Sequence, residues 1–376
     1  MQPPFSFALE ARDGEARSGR LATPHGVIET PAFMPVATYG AVRGVSPDEL
    51  AEAGTQIVLA NTYHLHERPG EGLVAQHGGL HGFTGWSGPW LTDSGGYQVT
   101  SLADTARVEE QGVTFASPLD GTRRLLTPET AVAIQEALGS DIAMVLDECI
   151  PSDATGSDTS ARVRAATERT LRWAERARRA QRRRDQLLFG IVQGGASPAL
   201  RRACARALRG LAFPGYAHGG LGLGESAEQR RALVAIAHEE LPAAAPRYLM
   251  GIGRPEDLLD AVALGVDLFD CVLPTRHARH GVLFTSRGLL RLRNARFRAD
   301  AAPPDPDCDC STCARFSRAY LSHLLRSGEA LGGRLASLHN LRFYLRLMEA
   351  ARRAIRAGDL SALRARTQEL AAASAA

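Results

Sequence analysis

The sequence contains no lysine, so all 44 of its strongly basic residues are arginines. A biased genome can produce this composition by itself, and the absence therefore says little about function. Long apolar runs are also missing, since none approaches the ~18 residues that a membrane-spanning helix needs. The opening stretch, MQPPFSFALEARDGEARSG, has neither the basic nor the apolar segment of a signal peptide. We therefore expect a cytoplasmic (cytosolic) protein that does not associate with membranes.

The sequence also lacks the common motifs that bind nucleotide phosphates. The glycine-rich run at 219–224 does not follow the pattern G-x-G-x-x-G, and G-x-x-x-x-G-K-[ST] does not occur. We therefore expect neither a dinucleotide nor an ATP cofactor. The 376 residues, 44% of them hydrophobic and 23% charged, are typical of one large core with a small appendage.

Basic residues are concentrated in two runs of different character. The net charge of +3 is too small to indicate a nucleic-acid partner, but Cys271–Ala299 holds seven arginines, two histidines and no acidic residue. This run favours an RNA-contacting surface. The run Arg162–Arg184 holds ten arginines, with Glu168 and Glu175 among them, and predicts a solvated helix.

Short β-branched or apolar runs alternate with longer helical patterns along most of the chain. Seven or eight strand–helix units over about 270 residues predict a parallel α/β protein, and fit a (β/α)8 barrel better than an open sheet. The predicted strands are Gln56–Ala60, Pro89–Leu91, Ile142–Leu146, Leu187–Val192, Tyr216–Ala217, Arg247–Met250 and Val266–Phe269. The predicted helices include Pro128–Leu138, Ser160–Arg184, Pro198–Leu208, Ala227–Glu240 and Pro255–Ala263.

Nearly every predicted strand ends in polar or glycine residues. In (β/α)8 barrels the carboxyl ends of the strands converge, and active sites lie there. For any single strand, turn residues that merely terminate it are an equally good explanation. Their repetition favours a site formed by Asn61-Thr62-Tyr63, Asp93-Ser94-Gly95-Gly96, Asp147-Glu148, Gln193-Gly194-Gly195, Gly219-Gly220, Gly251 and Asp270.

A cysteine cluster, Cys308, Cys310 and Cys313, places three thiols within six residues. In a reducing compartment this spacing favours metal over disulfide. Zinc prefers four ligands in a closed tetrahedron, so a fourth ligand must come from elsewhere. His339 is the better candidate and His323 its rival. Four protein ligands leave no open position, so one structural Zn2+ per chain is expected.

The pattern changes after Pro274. Val282–Thr285 and Leu289–Leu292 predict a β-hairpin, and two helices are predicted at about Cys313–Arg326 and Arg334–Arg356. We therefore expect a barrel with an N-terminal β extension at 1–273, and an arginine-rich hairpin with a zinc-binding subdomain at 274–350. A C-terminal helix and tail would follow at 351–376.

Asp93, Asp147 and Asp270 are the residues expected to carry the chemistry. At a glycosidic bond, one carboxylate can attack the anomeric carbon while another moves the proton of the leaving group. Taken singly, each aspartate is equally compatible with capping the helix that follows it.

The residues around these aspartates suit a guanine base. Asp147 can accept hydrogen bonds from N1–H and the 2-amino group. The amide of Gln193 and a backbone N–H of Gly219-Gly220 can donate to O6. Tyr97 and Met250 can enclose the flat ring between them.

The run Gly251-Ile252-Gly253-Arg254-Pro255-Glu256-Asp257 opens a predicted helix with free N–H groups beside an arginine. That combination favours a phosphate-binding position. Glycine before a helix is common, so the pattern is weakly specific on its own.

With these residues assembled, the sequence resembles the tRNA-guanine transglycosylases of the bacterial queuosine pathway. The matching stretches follow one another from about residue 20 to about residue 345, and several are long enough to be specific. They are Thr30-Pro-Ala-Phe-Met-Pro-Val36, Asn61-Thr-Tyr-His-Leu65, Asp93-Ser-Gly-Gly-Tyr-Gln98, Asp147-Glu-Cys149, Val192-Gln-Gly-Gly195, Gly219-Gly-Leu221, Tyr248-Leu-Met-Gly251, Phe269-Asp-Cys-Val-Leu-Pro-Thr-Arg276 and the Cys308, Cys310, Cys313 and His339 set.

The resemblance implies a barrel with a zinc subdomain, a homodimer, and His339 as the fourth zinc ligand. It implies that Asp270 is the nucleophile, which displaces guanine at the wobble position of the anticodon and forms a covalent bond to tRNA. Asp93 would be the general acid/base. The 7-deazaguanine preQ1 would then enter, without an energy cofactor, because one glycosidic bond replaces another.

The resemblance also implies which residues bind substrates. The base would be held by residues that follow the barrel strands: Asp93, Ser94, Gly95, Gly96, Tyr97, Asp147, Gln193, Gly220 and Met250. RNA would be contacted by Gly251, Ile252, Gly253, Arg254, Pro255, Glu256 and Asp257, and its wobble region by Thr275, Arg276, His277, Ala278 and Arg279. The tRNA partners would be those for Asp, Asn, His and Tyr.

Several positions depart from the family pattern. His277 and His280 replace asparagines, which suggests a pH-dependent affinity for tRNA, and His218 replaces an aliphatic residue. Leu223 occupies a position that is valine in preQ1 enzymes and glycine in queuine enzymes. Together with Cys149, its bulk favours preQ1 over the larger queuine side chain.

Two other functions are compatible with parts of the sequence. One is a non-catalytic tRNA-binding subunit of the same fold, and the three intact aspartates count against it. The other is a glycoside hydrolase, suggested by the paired carboxylates. A sugar site would need neither the residues that match a guanine edge nor the arginine-rich run.

Overall fold

The computed structural model of the chain describes residues 5–102, 106–150 and 159–375. Within these ranges the strands are β1 (Ser6–Asp13), β2 (Ala16–Thr23), β3 (Gly26–Thr30), β4 (Ala32–Met34), β5 (Val36–Ala37), β6 (Val58–Ala60), β7 (Trp90–Thr92), β8 (Arg107–Val108), β9 (Val113–Ala116), β10 (Arg123–Leu126), β11 (Ile142–Met144), β12 (Leu187–Val192), β13 (Tyr216–His218), β14 (Arg247–Leu249), β15 (Leu268–Asp270), β16 (Val282–Thr285) and β17 (Gly288–Arg291).

The helices in the same ranges are α1 (Pro47–Glu52), α2 (Thr62–Glu67), α3 (Glu71–Gln76), α4 (Gly79–Thr84), α5 (Gly96–Leu102), α6 (Pro128–Leu138), α7 (Thr159–Ala180), α8 (Pro198–Gly210), α9 (Ala227–His238), α10 (Pro255–Ala263), α11 (Leu273–Arg279), α12 (Ser311–Arg315), α13 (Arg318–Ser327), α14 (Ala330–Ala357) and α15 (Leu360–Ala375). A short 3-10 helix covers Ala295–Phe297. None of these helices combines the length and apolarity that crossing a bilayer requires.

The central sheet closes on itself. Its strands are parallel and ordered β4-β15-β14-β13-β12-β11-β7-β6-β5. The two end strands, β4 and β5, are separated in the chain only by Pro35, whose missing N–H interrupts the ladder. They act as one barrel strand, and helices flank the sheet, so the predicted (β/α)8 barrel is confirmed.

Sequence patterns identified seven of the eight barrel strands and missed the first. Residues 32–37 follow Pro31 and are interrupted by Pro35, and they form only two short pieces. The strand predicted at Val266–Phe269 in fact begins at Leu268 and includes Asp270. The side chain of Asp270 therefore starts from the rigid end of a strand instead of from a loop.

The N-terminal β extension is a three-stranded antiparallel sheet, β1-β2-β3, fixed to the barrel by a buried ion pair. Arg17 on β2 donates from Nε to Asp267 Oδ1 over 3.0 Å and from its terminal nitrogens to the carbonyls of Ala243 and Ala245. Asp267 also accepts the backbone N–H of Arg247. Every charged group of this buried pair is thus hydrogen-bonded, as a stable buried pair requires.

The C-terminal part differs from the prediction in its helix boundaries. The helix predicted at Cys313–Arg326 is two helices, α12 and α13, because Ser317 caps the second by accepting the N–H of Tyr320 over 3.2 Å. Helix α14 extends from Ala330 to Ala357, so the division expected after residue 350 falls inside it. The independence of the three segments as domains stays a prediction.

The arginine-rich helix α7 is a solvated helix, as predicted, and several of its arginines are paired with acids. Arg172 makes a two-point contact with Glu110 and Arg176 does the same with Glu129, over 2.6–2.8 Å. These acids neutralise part of the run, which makes it less suited to RNA than the run at 271–299.

A buried histidine pair joins the end of β13 to the end of α9. His218 Nε2 is 2.9 Å from His238 Nε2, and His238 Nδ1 donates to the carbonyl of Leu264 over 2.8 Å. His238 therefore accepts at Nε2, so His218 is the donor. Burial, reinforced by the charges of Arg201 and Arg247, lowers the pKa of His218 to about 3, and burial also lowers the pKa of His238 well below 6.5.

We expect this pair to destabilise the fold in acid. As the pH falls below about 6.5, the unfolded chain binds protons that the folded pair cannot. Stability should therefore fall as the pH drops from about 6.5 toward 3. Replacing both histidines by leucine should shrink the difference in melting temperature between pH 8 and pH 5, whereas His77→Ala, at an exposed position, should not. An unchanged difference in the double variant would contradict this assignment.

Candidate active site

The side chain of Asp93 lies immediately after β7, where four donors surround it. Asn61 Nδ2 and Gln98 Nε2 donate to Oδ2 over 2.5 and 2.8 Å, and the N–H groups of Thr62 and Gly95 donate to Oδ1 over 2.9 and 3.2 Å. The carboxyl is thereby fixed in orientation. Burial nevertheless raises the pKa of Asp93 to about 6.

Asp270 ends β15, and two donors hold it. The hydroxyl of Tyr248, from the neighbouring strand β14, donates to Oδ1 over 2.6 Å, and the backbone N–H of Gly251 donates to the same atom over 2.8 Å. Hence Oδ2 is not engaged by these two donors. Burial raises the pKa of Asp270, and its charge in turn raises that of Asp93.

Asp147, three residues beyond β11, faces Gln193 at the end of β12. Gln193 Nε2 donates to Asp147 Oδ2 over 2.6 Å. Burial, together with the charge of Asp93, raises the pKa of Asp147 to about 6. Asp93 thus lies within electrostatic range of both Asp270 and Asp147, since all three follow or end strands of the barrel.

Two cysteines lie beside these carboxyls without competing with them as nucleophiles. Burial raises the pKa of Cys149 to about 12 and that of Cys271 to about 11. Since the thiolate is the reactive form of cysteine, both thiols are unreactive near neutral pH.

The glycines after β13 are required by the side chain of Gln193. A Cβ on Gly219 would lie 2.4 Å from Gln193 Nε2, and one on Gly220 would lie 2.7 Å from Gln193 Oε1. Gly220 also has a φ of +67°, which other residues rarely adopt. The amide of Gln193 therefore packs directly against this backbone.

A buried arginine that was not predicted from the sequence supports the loops that follow β12 and β13. Arg201, on α8, donates from Nε to the carbonyl of Gly195 over 2.8 Å and from a terminal nitrogen to the carbonyl of Gly219 over 2.9 Å. Its side chain is inaccessible to solvent, and burial lowers its pKa to about 10. Arg201 thus joins the ends of β12 and β13.

Replacing Arg201 by methionine should raise the KM for the base by roughly 10- to 100-fold, because each hydrogen bond from a charged donor contributes about 1.5–3 kcal/mol. The KM for the macromolecular substrate should change little. The matched control is Arg202→Met, since Arg202 is the next residue but pairs with Glu239 at the surface. Equal effects of the two variants in steady-state kinetics would refute a positioning role for Arg201.

The other predicted base-binding residues follow the barrel strands β7 and β14. Ser94 is buried and accepts the N–H of Gly96 at its hydroxyl over 3.3 Å. Gly96 leaves no room for a side chain, since a Cβ would lie 2.9 Å from Leu146 Cδ1. Tyr97 is half-exposed at the start of α5, and Met250 packs partly against the barrel core.

The predicted RNA-binding run after Pro274 forms helix α11, and only part of it faces solvent. Thr275 and Ala278 are buried, so their side chains point inward, which the sequence did not reveal. Arg276 is exposed, and His277 and Arg279 are half-buried. Burial lowers the pKa of both His277 and Arg279, and the positive charges of neighbouring arginines contribute to this shift. These neighbours are Arg43, Arg254, Arg276 and Arg291, and we call these four arginines the arginine patch.

The predicted phosphate-binding run leads into α10. Arg254 is 74% exposed and Gly251 is exposed, whereas Ile252, Gly253 and Pro255 are buried. Asp257 is occupied by Arg230 Nη2 over 2.6 Å. The accessible basic group of this run is therefore Arg254, which belongs to the arginine patch.

The predicted metal ligands are brought together. The ligand atoms of Cys308, Cys310, Cys313 and His339 lie within 4.8 Å of one another. His339 Nε2 donates to the carbonyl of Phe284 over 2.7 Å, so Nδ1, which is 3.1 Å from Cys313 Sγ, is the nitrogen that faces the cysteines. A carbonyl partner of this kind commonly orients a ligating histidine. The rival, His323, is exposed. This Cys3His group could hold a metal ion.

Comparisons with known proteins all point to one family. A family model described as "Queuine tRNA-ribosyltransferase" matches residues 13–372. A curated relative of that name from Thermus thermophilus is 55% identical over 355 residues, covering 94% of this chain and 91% of its own. Relatives of the same name from Nitrosomonas europaea and Thioalkalivibrio sulfidiphilus are 53% and 52% identical and are covered over 95% of their lengths.

The chain belongs to the queuine tRNA-ribosyltransferase family. It is therefore an enzyme, a transferase of the tRNA-guanine transglycosylase class that modifies tRNA. The family was correctly predicted from the sequence motifs. Tyr248, Asn61 and Gln98 lie within those motifs, yet their bonds to the two aspartates became visible only in the structure.

Proposed function

We propose that this enzyme replaces guanine at the wobble position of GUN anticodons with preQ1, in queuosine biosynthesis. The observation that carries the proposal is the convergence of Asp93 and Asp270 beside the Asp147–Gln193 pair. Two carboxyls are available for a glycosidic bond. An acceptor and a donor are available for the edge of a guanine-type base.

In the proposed reaction, Asp270 attacks C1′ of the ribose. The bond from C1′ to N9 of guanine breaks, and the departing base takes a proton from Asp93. In the second half, the incoming base returns a proton to Asp93 and its ring nitrogen attacks C1′, which releases Asp270. A pKa of about 6 lets Asp93 exchange protons near neutral pH.

Two hydrogen-bond donors hold Asp270 through the same carboxylate oxygen, and this arrangement supports its role as nucleophile. Tyr248 and Gly251 both bind Oδ1, so Oδ2 can approach the sugar while the carboxylate keeps its orientation. Asp93, by contrast, has both oxygens hydrogen-bonded. It is better placed to transfer a proton than to form a covalent bond.

Base selection would depend on the pocket formed by Asp147, Gln193 and Gly220, with Tyr97 and Met250 beside the ring. Leu223 is held in its loop by Glu225 Oε2, which accepts the Leu223 N–H over 3.1 Å. A fixed leucine here, with Cys149, limits the space for a large substituent. We therefore propose preQ1, and not queuine, as the incoming base.

The arginine patch, which includes Arg254, would contact the anticodon region of tRNA. The buried side chains of Thr275 and Ala278 would support α11. The tRNA substrates proposed are those for Asp, Asn, His and Tyr, and the active form proposed is a homodimer in the cytoplasm. The Cys3His group would hold one structural Zn2+, which ties α12 to α14.

Incubation with radiolabelled guanine and tRNA tests the function. We expect label to enter a tRNA with a GUN anticodon, to be chased out by preQ1, and to be absent when the wobble base is adenine. Failure of wild type to incorporate label would favour a non-catalytic subunit. Hydrolysis of the glycosidic bond, with release of guanine from tRNA and no incorporation of label, would favour the glycoside hydrolase alternative.

A further inference from the structure

A second group of metal-ligand residues lies at the opposite end of the barrel from Asp93, Asp147 and Asp270. His25 is in the turn between β2 and β3, His81 is on α4, and Asp141 lies just before β11. The ligand atoms of these three residues lie within 4.8 Å of one another. The proposed reaction uses none of them.

Two imidazole nitrogens converge on one carboxylate. His25 Nδ1 is 2.8 Å from Asp141 Oδ1, and His81 Nε2 is 3.5 Å from Asp141 Oδ2. Ligand atoms of a tetrahedral zinc ion, about 2.0–2.1 Å from the metal, lie roughly 3.3–3.4 Å apart. Small shifts of the two rings would therefore bring both nitrogens and a carboxylate oxygen to ligand distances.

Hydrogen bonding alone leaves this group incompletely satisfied. The Nε2 atom of His81 is buried without a hydrogen-bond partner among the described residues, since 3.5 Å to the carboxylate exceeds a normal bond. The rings of His25 and His81 stack with centroids 3.5 Å apart.

The charge around Asp141 also suits a cation. The carboxylate is fully buried, and Oδ2 accepts only one described hydrogen bond, from the N–H of Trp90 over 2.9 Å. Within the described residues, no guanidinium lies at ion-pair distance from it. Arg183, whose charge reaches Asp141, is bonded to both carboxylate oxygens of Asp185. Burying a carboxylate is costly unless a cation compensates it.

We propose that His25, His81 and Asp141 form a second metal site, for a divalent transition ion such as Zn2+, Co2+ or Ni2+. Two imidazoles and one carboxylate are suitable ligands for these ions. The side chain of His25 is 37% exposed, so an ion can enter from solvent and keep a water ligand. A bound ion would tie the β2–β3 turn to α4 and to the amino-terminal end of β11.

Metal content measured on tag-free enzyme by plasma mass spectrometry tests this site. After loading with Zn2+ and gel filtration, wild type should retain about two ions per chain, and His25→Ala and His81→Ala about one. His77→Ala should retain two, because His77 is an exposed histidine outside the cluster. About one ion in wild type, or an equal content in wild type and both cluster variants, would overturn the proposal.

Cobalt distinguishes a lost site from a misfolded protein. Co2+ bound by the three cysteines should give thiolate charge-transfer absorption, whereas Co2+ bound by His25, His81 and Asp141 should not. The His25→Ala variant should therefore keep the thiolate band while losing the second equivalent of bound Co2+.

The melting temperature gives a second test. Co2+ added after the cysteine site is saturated should raise the melting temperature of wild type further, and that further rise should be absent in His25→Ala. Its persistence there would refute the assignment.

Discussion

Replacing Asp270 by asparagine is expected to lower the rate of guanine exchange by at least about 10⁴-fold. Removal of an enzyme nucleophile typically has an effect of this size. Asparagine keeps the shape of the side chain and can still accept from Tyr248 and Gly251. The loss would therefore reflect the missing carboxylate. The measurement is incorporation of labelled guanine into tRNA under single-turnover conditions.

Tyr248→Phe is the matched control for this prediction. It removes the 2.6 Å hydrogen bond to Asp270 Oδ1 but leaves the carboxylate and the backbone donor of Gly251 in place. A hydrogen bond to a charged group contributes about 1.5–3 kcal/mol, so we expect a loss of roughly 10- to 100-fold. If Asp270→Asn lost no more activity than Tyr248→Phe, Asp270 would be a positioning residue and not the nucleophile.

The second large effect is expected at the Cys3His group. Replacing Cys310 and Cys313 by serine should remove about one bound zinc ion per chain and unfold the region around α12 and α14. Structural zinc sites bind with about 10–16 kcal/mol at neutral pH, and this binding is coupled to folding. Exchange activity should fall as well, because α11 packs on α14 and carries part of the arginine patch.

His323→Ala is the control for the metal prediction. His323 lies between the cysteines and His339 in the sequence, but it is exposed and outside the cluster. This variant should keep its zinc and its melting temperature. Loss of zinc in His323→Ala, with retention in His339→Ala, would contradict the assignment of the fourth ligand.

Much of the fold could be predicted from the sequence, because a barrel strand buried on both faces is an apolar run that ends where polar residues begin. The runs before Asp93 and Asp147 have this character, and both gave strands near their expected positions. The first barrel strand was missed because Pro35 divides it into pieces of three and two residues. Neither piece is long enough for a periodic pattern.

The sequence motifs led more directly to the residues that we propose to react than to the residues that would position them. Arg201 was missed because an arginine on an amphipathic helix usually faces solvent. Here it turns inward to bind the carbonyls of Gly195 and Gly219, which are backbone groups without any sequence signal. A continuous RNA-facing run was expected at 275–279, because a sequence run does not show which face of a helix is buried. In the structure, helical geometry buries Thr275 and Ala278 between more accessible neighbours.

The most direct test of the central claim is a denaturing gel of enzyme incubated with tRNA and then quenched in acid. If Asp270 bonds to C1′ of the wobble nucleotide, wild type should show a band at the summed mass of protein and tRNA. Addition of preQ1 before quenching should remove that band, and Asp270→Asn should not form it. A band of equal intensity in Asp270→Asn would contradict the assignment of Asp270 as the nucleophile.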